Sequence, residues 1–113
     1  MKKFMFLIRE DLKLLEAMTQ EQQDADLQSM VKWVEELTQS GNFVQGEPLE
    51  NGMSLVAKDK IISDGPFIEA KEAISGYTII NANSLEHASE IASTCPLVST
   101  GQIKIEVRPI MQF

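Results

Sequence analysis

Residues Phe4-Met5-Phe6-Leu7-Ile8 are apolar at every position, and this run constrains the fold more than any other. Side chains alternate between the two faces of a strand, so a strand without a polar position is buried on both. The run is far too short to cross a bilayer, which takes about 20 apolar residues in a helix. Only Lys2 and Lys3 give it a basic flank, and no small-residue cleavage site follows, so it reads as a strand and not a signal peptide. The sheet that contains it needs cover on each side. The rest of the chain offers two clear helical patterns, enough for one side. A partner sheet is the natural cover for the other, which predicts a homodimer with two sheets face to face.

The remaining elements follow in order. Residues 10–18 form a charged connector carrying Leu12, Leu14 and Leu15, with room for one short helical turn. Thr19 has the character of an N-cap, and Gln22 three residues on completes a capping box. Leu27, Met30, Val31, Val34 and Leu37 recur at helical spacing as the expected buried stripe, with Trp33 on its edge, until Gly41 ends the helix. Residues 42–49 read as a strand that stops at Pro48. Residues 54–58 and 61–63 form a hairpin turned by Asp59-Lys60, and residues 77–81 are the next main strand. Ser84 caps a second helix whose expected buried face is Leu85, Ala88, Ile91, Ala92 and Cys95, with Pro96 closing it. Residues 103–108 alternate strictly, as a half-buried strand does. The order is βαβ, a hairpin, then βαβ. Residues 1–113 are thus expected to form a single α+β domain, a ferredoxin-like βαββαβ sandwich with an inserted hairpin, pairing as a dimeric α+β barrel.

Composition excludes several functions. The net charge is −7, and the ten Lys and Arg are scattered without a basic stripe, which argues against nucleic acid and anionic membrane as partners. One cysteine excludes an intramolecular disulfide and fits a reducing cytoplasm, the expected location. No metal is expected, because one His and one Cys leave only carboxylates, and zinc or EF-hand spacing is absent. No cofactor is expected either: the chain has no Gly-rich phosphate loop and no Gly-x-Ser-x-Gly elbow.

The most organised polar segment is Asp64-Gly65-Pro66-Phe67, a tight turn carrying an acid between two strand-like runs. Gly65 allows angles closed to other residues and Pro66 lacks an N–H, so Asp64 is placed to accept from the Phe67 amide. Ile68-Glu69-Ala70-Lys71-Glu72 follows at once, then Gly76-Tyr77, which opens a strand where the charges stop. This segment resembles the signature of the DGPF-type proteins of the YCII-related superfamily. Cys95-Pro96 and Glu106-Val107-Arg108-Pro109 extend the match through the second half of the chain, and the layout of the first half agrees. The resemblance implies a dimeric α+β barrel with the signature acid near the cleft between the sheets. Some relatives are thought to use a His–Asp pair. The first-half histidine of that pair is absent here, so their chemistry does not carry over intact. Genes of similar proteins often lie beside those of extracytoplasmic-function sigma factors, which implies a link to transcription control.

Asp64 has two readings. As a general acid or base at the cleft rim it would have a pKa raised by burial; as a turn residue accepting backbone amides its pKa would fall. Glu69, Lys71 and Glu72 either fix a polar ligand or pair locally as solvated charges. Glu106 and Arg108 share one face of the last strand with Lys104, opposite Ile103, Ile105 and Val107. That face is expected to look into the inter-sheet cleft, where Arg9, alternating with Met5 and Leu7, joins it. Two arginines there suit a carboxylate ligand, or else partners across a dimer. Tyr77 offers its hydroxyl to the same cleft or simply packs. His87 is expected to face solvent, outside any catalytic role, and Cys95 to be a small buried hydrophobe.

These residues define three functional expectations. The first is a small-molecule-binding dimer, with a polar or aromatic metabolite held between the sheets by Asp64, Arg9, Glu69, Lys71, Tyr77, Glu106 and Arg108. The second is a cofactor-independent lyase or isomerase in which Asp64 moves a proton. The third is a regulatory protein acting on a protein partner linked to sigma-factor control.

Overall fold

The computed structural model describes residues 1–50, 52–63 and 72–113. Among the described residues the elements run in the order β1 (Lys2–Asp11), α1 (Leu12–Ala17), α2 (Gln20–Gln39), β2 (Phe43–Pro48), β3 (Ser54–Ala57), β4 (Lys60–Ser63), β5 (Glu72–Ala82), α3 (Leu85–Ser93), α4 (Pro96–Ser99) and β6 (Ile103–Pro109). β2, β5, β1 and β6 make one sheet in that order, every pair antiparallel. The two crossovers, through α2 and through α3, place the strands in ferredoxin-like order with the helices on one side. β3 and β4 pair only with each other, as the expected hairpin, and turn at Asp59, whose φ is 70°.

The apolar run of β1 lies centrally, as its composition requires. Phe4, Phe6 and Ile8 are buried under the helices with Ile80, Ala82, Ile103, Trp33, Leu37, Ala88, Ala92, Cys95 and Leu97. Trp33 is the keystone of α2: its ring stacks on Phe6 with centroids 6.3 Å apart, and its Nε1 donates to Thr94 Oγ1 at 2.9 Å. The capping box is present, since Gln22 N donates to Thr19 Oγ1 and Thr19 N donates to Gln22 Oε1. Gly41 ends α2 with a φ of 81°, as a C-terminal glycine does.

Four expectations need correction. Trp33 is central to the buried stripe of α2 and not on its edge, whereas Leu27 and Val31 are 59% and 46% exposed. The helix touches the sheet layer through its second half, where Trp33 and Leu37 lie. In α3, Leu85 is 48% exposed, because the first turn overhangs the sheet while Ala88, Ala92 and Cys95 pack beneath. Pro96 does not only close that helix but opens the short α4, where a proline at the first turn loses no hydrogen bond. β5 begins at Glu72 and not at Tyr77, because a bulge at Ser75 breaks the alternation that marks a strand.

Two bulges set which side chains face where. β1 pairs Ile8 with Gly76 but Arg9 with Ile74, leaving Ser75 as an extra residue in β5. β2 pairs Phe43 with Ile80 but Gln45 with Ile79, leaving Val44 as the extra residue. β1 stays regular against β6, with Glu10 opposite the buried Ile103.

Candidate functional site

The same alternation that buries Phe4, Phe6 and Ile8 sends Glu10 to the helix side of the sheet. There it meets a cavity of about 540 Å³ between α2, the end of α1 and the strands β1, β2 and β5. The cavity has a sequence cause. Its floor is formed by Gly46, Gly76 and Thr78, which together present little side-chain volume, and its roof is the stretch of α2 from Gln23 to Glu35. A Cβ on Gly46 would lie 2.9 Å from the Tyr77 carbonyl oxygen, and one on Gly76 would lie 3.0 Å from that of Glu47. Glycine is therefore required at both places for β2 and β5 to approach. Ile8, Leu27, Met30, Val31, Val34, Phe43, Leu97 and Ile103 supply apolar walls.

One end of this cavity is acidic. Glu10 and Asp26 both line it, and burial pushes the Glu10 carboxyl above its ordinary value. The Ser75 hydroxyl donates to that carboxyl and partly opposes the shift, while the Asp26 charge adds to it. Ser75 can reach Glu10 because the bulge frees it from the ladder, and its own carbonyl accepts from Leu49 N at 2.8 Å. Glu35 and Glu47 also line the cavity, and no Lys, Arg or His does among the described residues. In the sequence Glu10 stands at the head of a charged connector, which hides its place in the cavity. The available signal was the i, i+2 series Phe4, Phe6, Ile8, Glu10, in which a carboxylate takes the fourth place on a buried face.

On the other side of the sheet, neither α2, α3 nor α4 gives cover. Met5 and Leu7 of β1 pair across with Ile79 and Tyr77 of β5, forming a half-buried apolar centre. Beside it the expected charged cluster is assembled. Arg9 donates to Glu106 Oε1 through Nε at 3.0 Å and Nη2 at 2.6 Å, and Arg108 Nη1 donates to Glu106 Oε2 at 3.2 Å. These two guanidinium groups hold the Glu106 carboxyl below its ordinary value. Tyr77 pairs with Leu7 and Glu47 and, like Glu47, also lines the helix-side cavity. Asp64, Glu69 and Lys71 lie outside the described residues.

His87 is half-buried, in place of the fully solvent-facing position expected from its helical angle. Its Nδ1 accepts from Asn83 N at 3.0 Å while its own N–H donates to Ser84 Oγ at 3.0 Å, a reciprocal cap for α3. Cys95 is fully buried against Met30, and burial raises its thiol pKa, so it is a poor nucleophile. No group of acids, histidine and cysteine suited to a metal ion occurs among the described residues, and no helix among them is long and apolar enough to cross a membrane.

The order of strands, the four-stranded antiparallel sheet and the one-sided helices define an α+β protein of ferredoxin-like fold. Residues 2–113 match the YCII-related domain, and the chain belongs to that family. No curated protein matches it.

Proposed function

We propose that this YCII-related protein binds a small molecule in the cavity between α2 and the sheet. The observation that carries this reading is the cavity itself: its volume of about 540 Å³ falls in the range of ligand sites. Apolar walls with a few convergent polar groups are the usual composition of such sites. A ligand there would fill the space that α2 leaves open and cover Leu27 and Val31. The test is a thermal-shift screen of small amphipathic compounds against the full chain and against Val31→Trp. Stabilisation of the parent protein that vanishes in the filled variant supports the reading, because a ligand of the native state raises stability by mass action. Stabilisation that persists in Val31→Trp, or none from any compound, overturns it.

A second reading places a polar ligand between the sheets of two copies, bounded by Arg9, Tyr77, Glu106 and Arg108. The charged cluster beside an apolar sheet centre favours it. It depends on a homodimer, which we also propose, since no helix among the described residues covers the half-buried Met5, Leu7 and Ile79 and the second copy presents the same face. Loss of ligand binding in a monomeric variant would separate this reading from the first, which needs one copy only.

A further inference from the structure

We propose that the helix-side cavity takes an amphipathic amine, a molecule with an aliphatic or aromatic body and a protonated nitrogen set against Glu10 and Asp26. This rests on the reading that the cavity is the ligand site and adds the class of ligand.

The cavity has the two ends such a molecule needs. Its long walls are apolar: Leu27, Met30 and Val31 from α2, Ile8 from β1, Phe43 from β2 and Leu97 from α4. Its polar end is built from three different elements. Glu10 comes from the end of β1, Asp26 from α2, and the Ser75 hydroxyl from the bulge of β5. These elements converge by tertiary packing, so the polar end is a product of the fold and not a local run of charge.

Charge selects the ligand. Two carboxylates of like sign influence each other across the cavity mouth, and the lining residues include no basic side chain among those described. A protonated amine supplies the missing countercharge and up to three N–H donors, while Glu10 and Asp26 offer free acceptor sites. Hydrogen bonds between ionised partners are about twice as strong as neutral ones. A neutral head group would leave the two like charges uncompensated, and a carboxylate head would add a third. Burial is the main cause of the raised Glu10 pKa, and the Asp26 charge adds a smaller contribution of the same sign.

The experiment is isothermal titration of the full chain with octylamine, octanol and octanoate, three probes of equal chain length and different head charge. The expected result is octylamine binding about tenfold tighter than octanol, which a single net charge-assisted hydrogen bond accounts for, and no measurable octanoate binding. Glu10→Gln is expected to bring octylamine and octanol to within about twofold, leaving octanol unchanged. Val31→Trp is expected to abolish binding of both. The comparison among probes uses the parent protein alone, so it stands whether or not a variant folds. Equal binding of all three probes, or preference for octanoate, overturns the amine while leaving a ligand cavity in place. Octylamine binding that survives Val31→Trp, as for an amine held at the acidic surface, overturns the site, and binding of none of the three overturns the amine.

Discussion

Two glutamates on neighbouring strands, Glu10 of β1 and Glu106 of β6, respond oppositely to pH. Glu106 is held below its ordinary value by Arg9 and Arg108, so the native state favours its ionised form. Its contribution to stability is present above the unfolded carboxyl value of 4.5 and is lost as pH falls through the lower folded value. Glu10 is raised, chiefly by burial, so the native state favours its protonated form. Its contribution is present below 4.5 and is lost as pH rises through the higher folded value. Urea midpoints measured across the acid range should therefore move in opposite directions. Glu106→Gln should lower the midpoint at neutral pH and flatten its fall in acid. Glu10→Gln should raise the neutral midpoint and leave the acid end nearly unchanged. The charged cluster was legible in the sequence, because Lys104, Glu106 and Arg108 alternate with apolar neighbours and Arg9 alternates with Met5 and Leu7. Glu10 obeys the same rule, but its charge made it look like part of the connector that follows. Two other expectations were decided by the fold: His87 caps a helix, which its helical angle alone does not reveal, and Leu85 overhangs the sheet.

At the level of elements, α2 divides into an anchored half and a half that stands off. Its start was legible from Thr19 and Gln22, and Thr19→Ala should cost about 1 kcal/mol in chemical denaturation through the lost cap. Its anchored half depends on Trp33, and Trp33→Ala should cost about 3–5 kcal/mol, a large part of the stability of a domain of this size. The stretch from Leu27 to Val31 was misread. Leu27 and Val31 repeat at the right spacing for a buried stripe, but periodicity reports only which side of a helix is apolar, not what lies opposite. What lies opposite is Gly46, Gly76 and Thr78, too small to fill the gap. Adding volume to that floor is expected to strain the sheet before it fills the cavity. Gly46→Ala brings a Cβ to 2.9 Å from the Tyr77 carbonyl oxygen and should destabilise by about 1–3 kcal/mol, read from urea denaturation. The bulges at Val44 and Ser75 had no clear sequence mark, since each shifts a strand's parity by one residue without a glycine or proline at the extra position.

The whole molecule is a plate of about 42 × 41 × 19 Å, one sheet and one helix layer thick. β3 and β4 stand apart from the main sheet, with Val56 and Ile61 both about 70% exposed. The order of elements and the fold class were legible because each strand and helix carries its own period and its own stop signals. The apolar β1 also gave the reason to expect a second sheet over Met5, Leu7 and Ile79. Leu7→Asp, at the centre of that face, should shift sedimentation from dimer to monomer while leaving far-UV circular dichroism unchanged, because the residue points away from the helix-side core. A parent protein that sediments as a monomer would remove the paired-sheet reading. The bulge in β5 has a final consequence. Ile8 with Gly76 and Arg9 with Ile74 are already correct pairs on either side of Ser75, so losing that one residue would restore an ordinary ladder against β1, at the loss of the single bond from Leu49 N to the Ser75 carbonyl. Scaffold and polar pocket end are thus separable by a single codon, and descendants of this chain can gain or lose the serine that steadies Glu10 without having to reinvent the sheet.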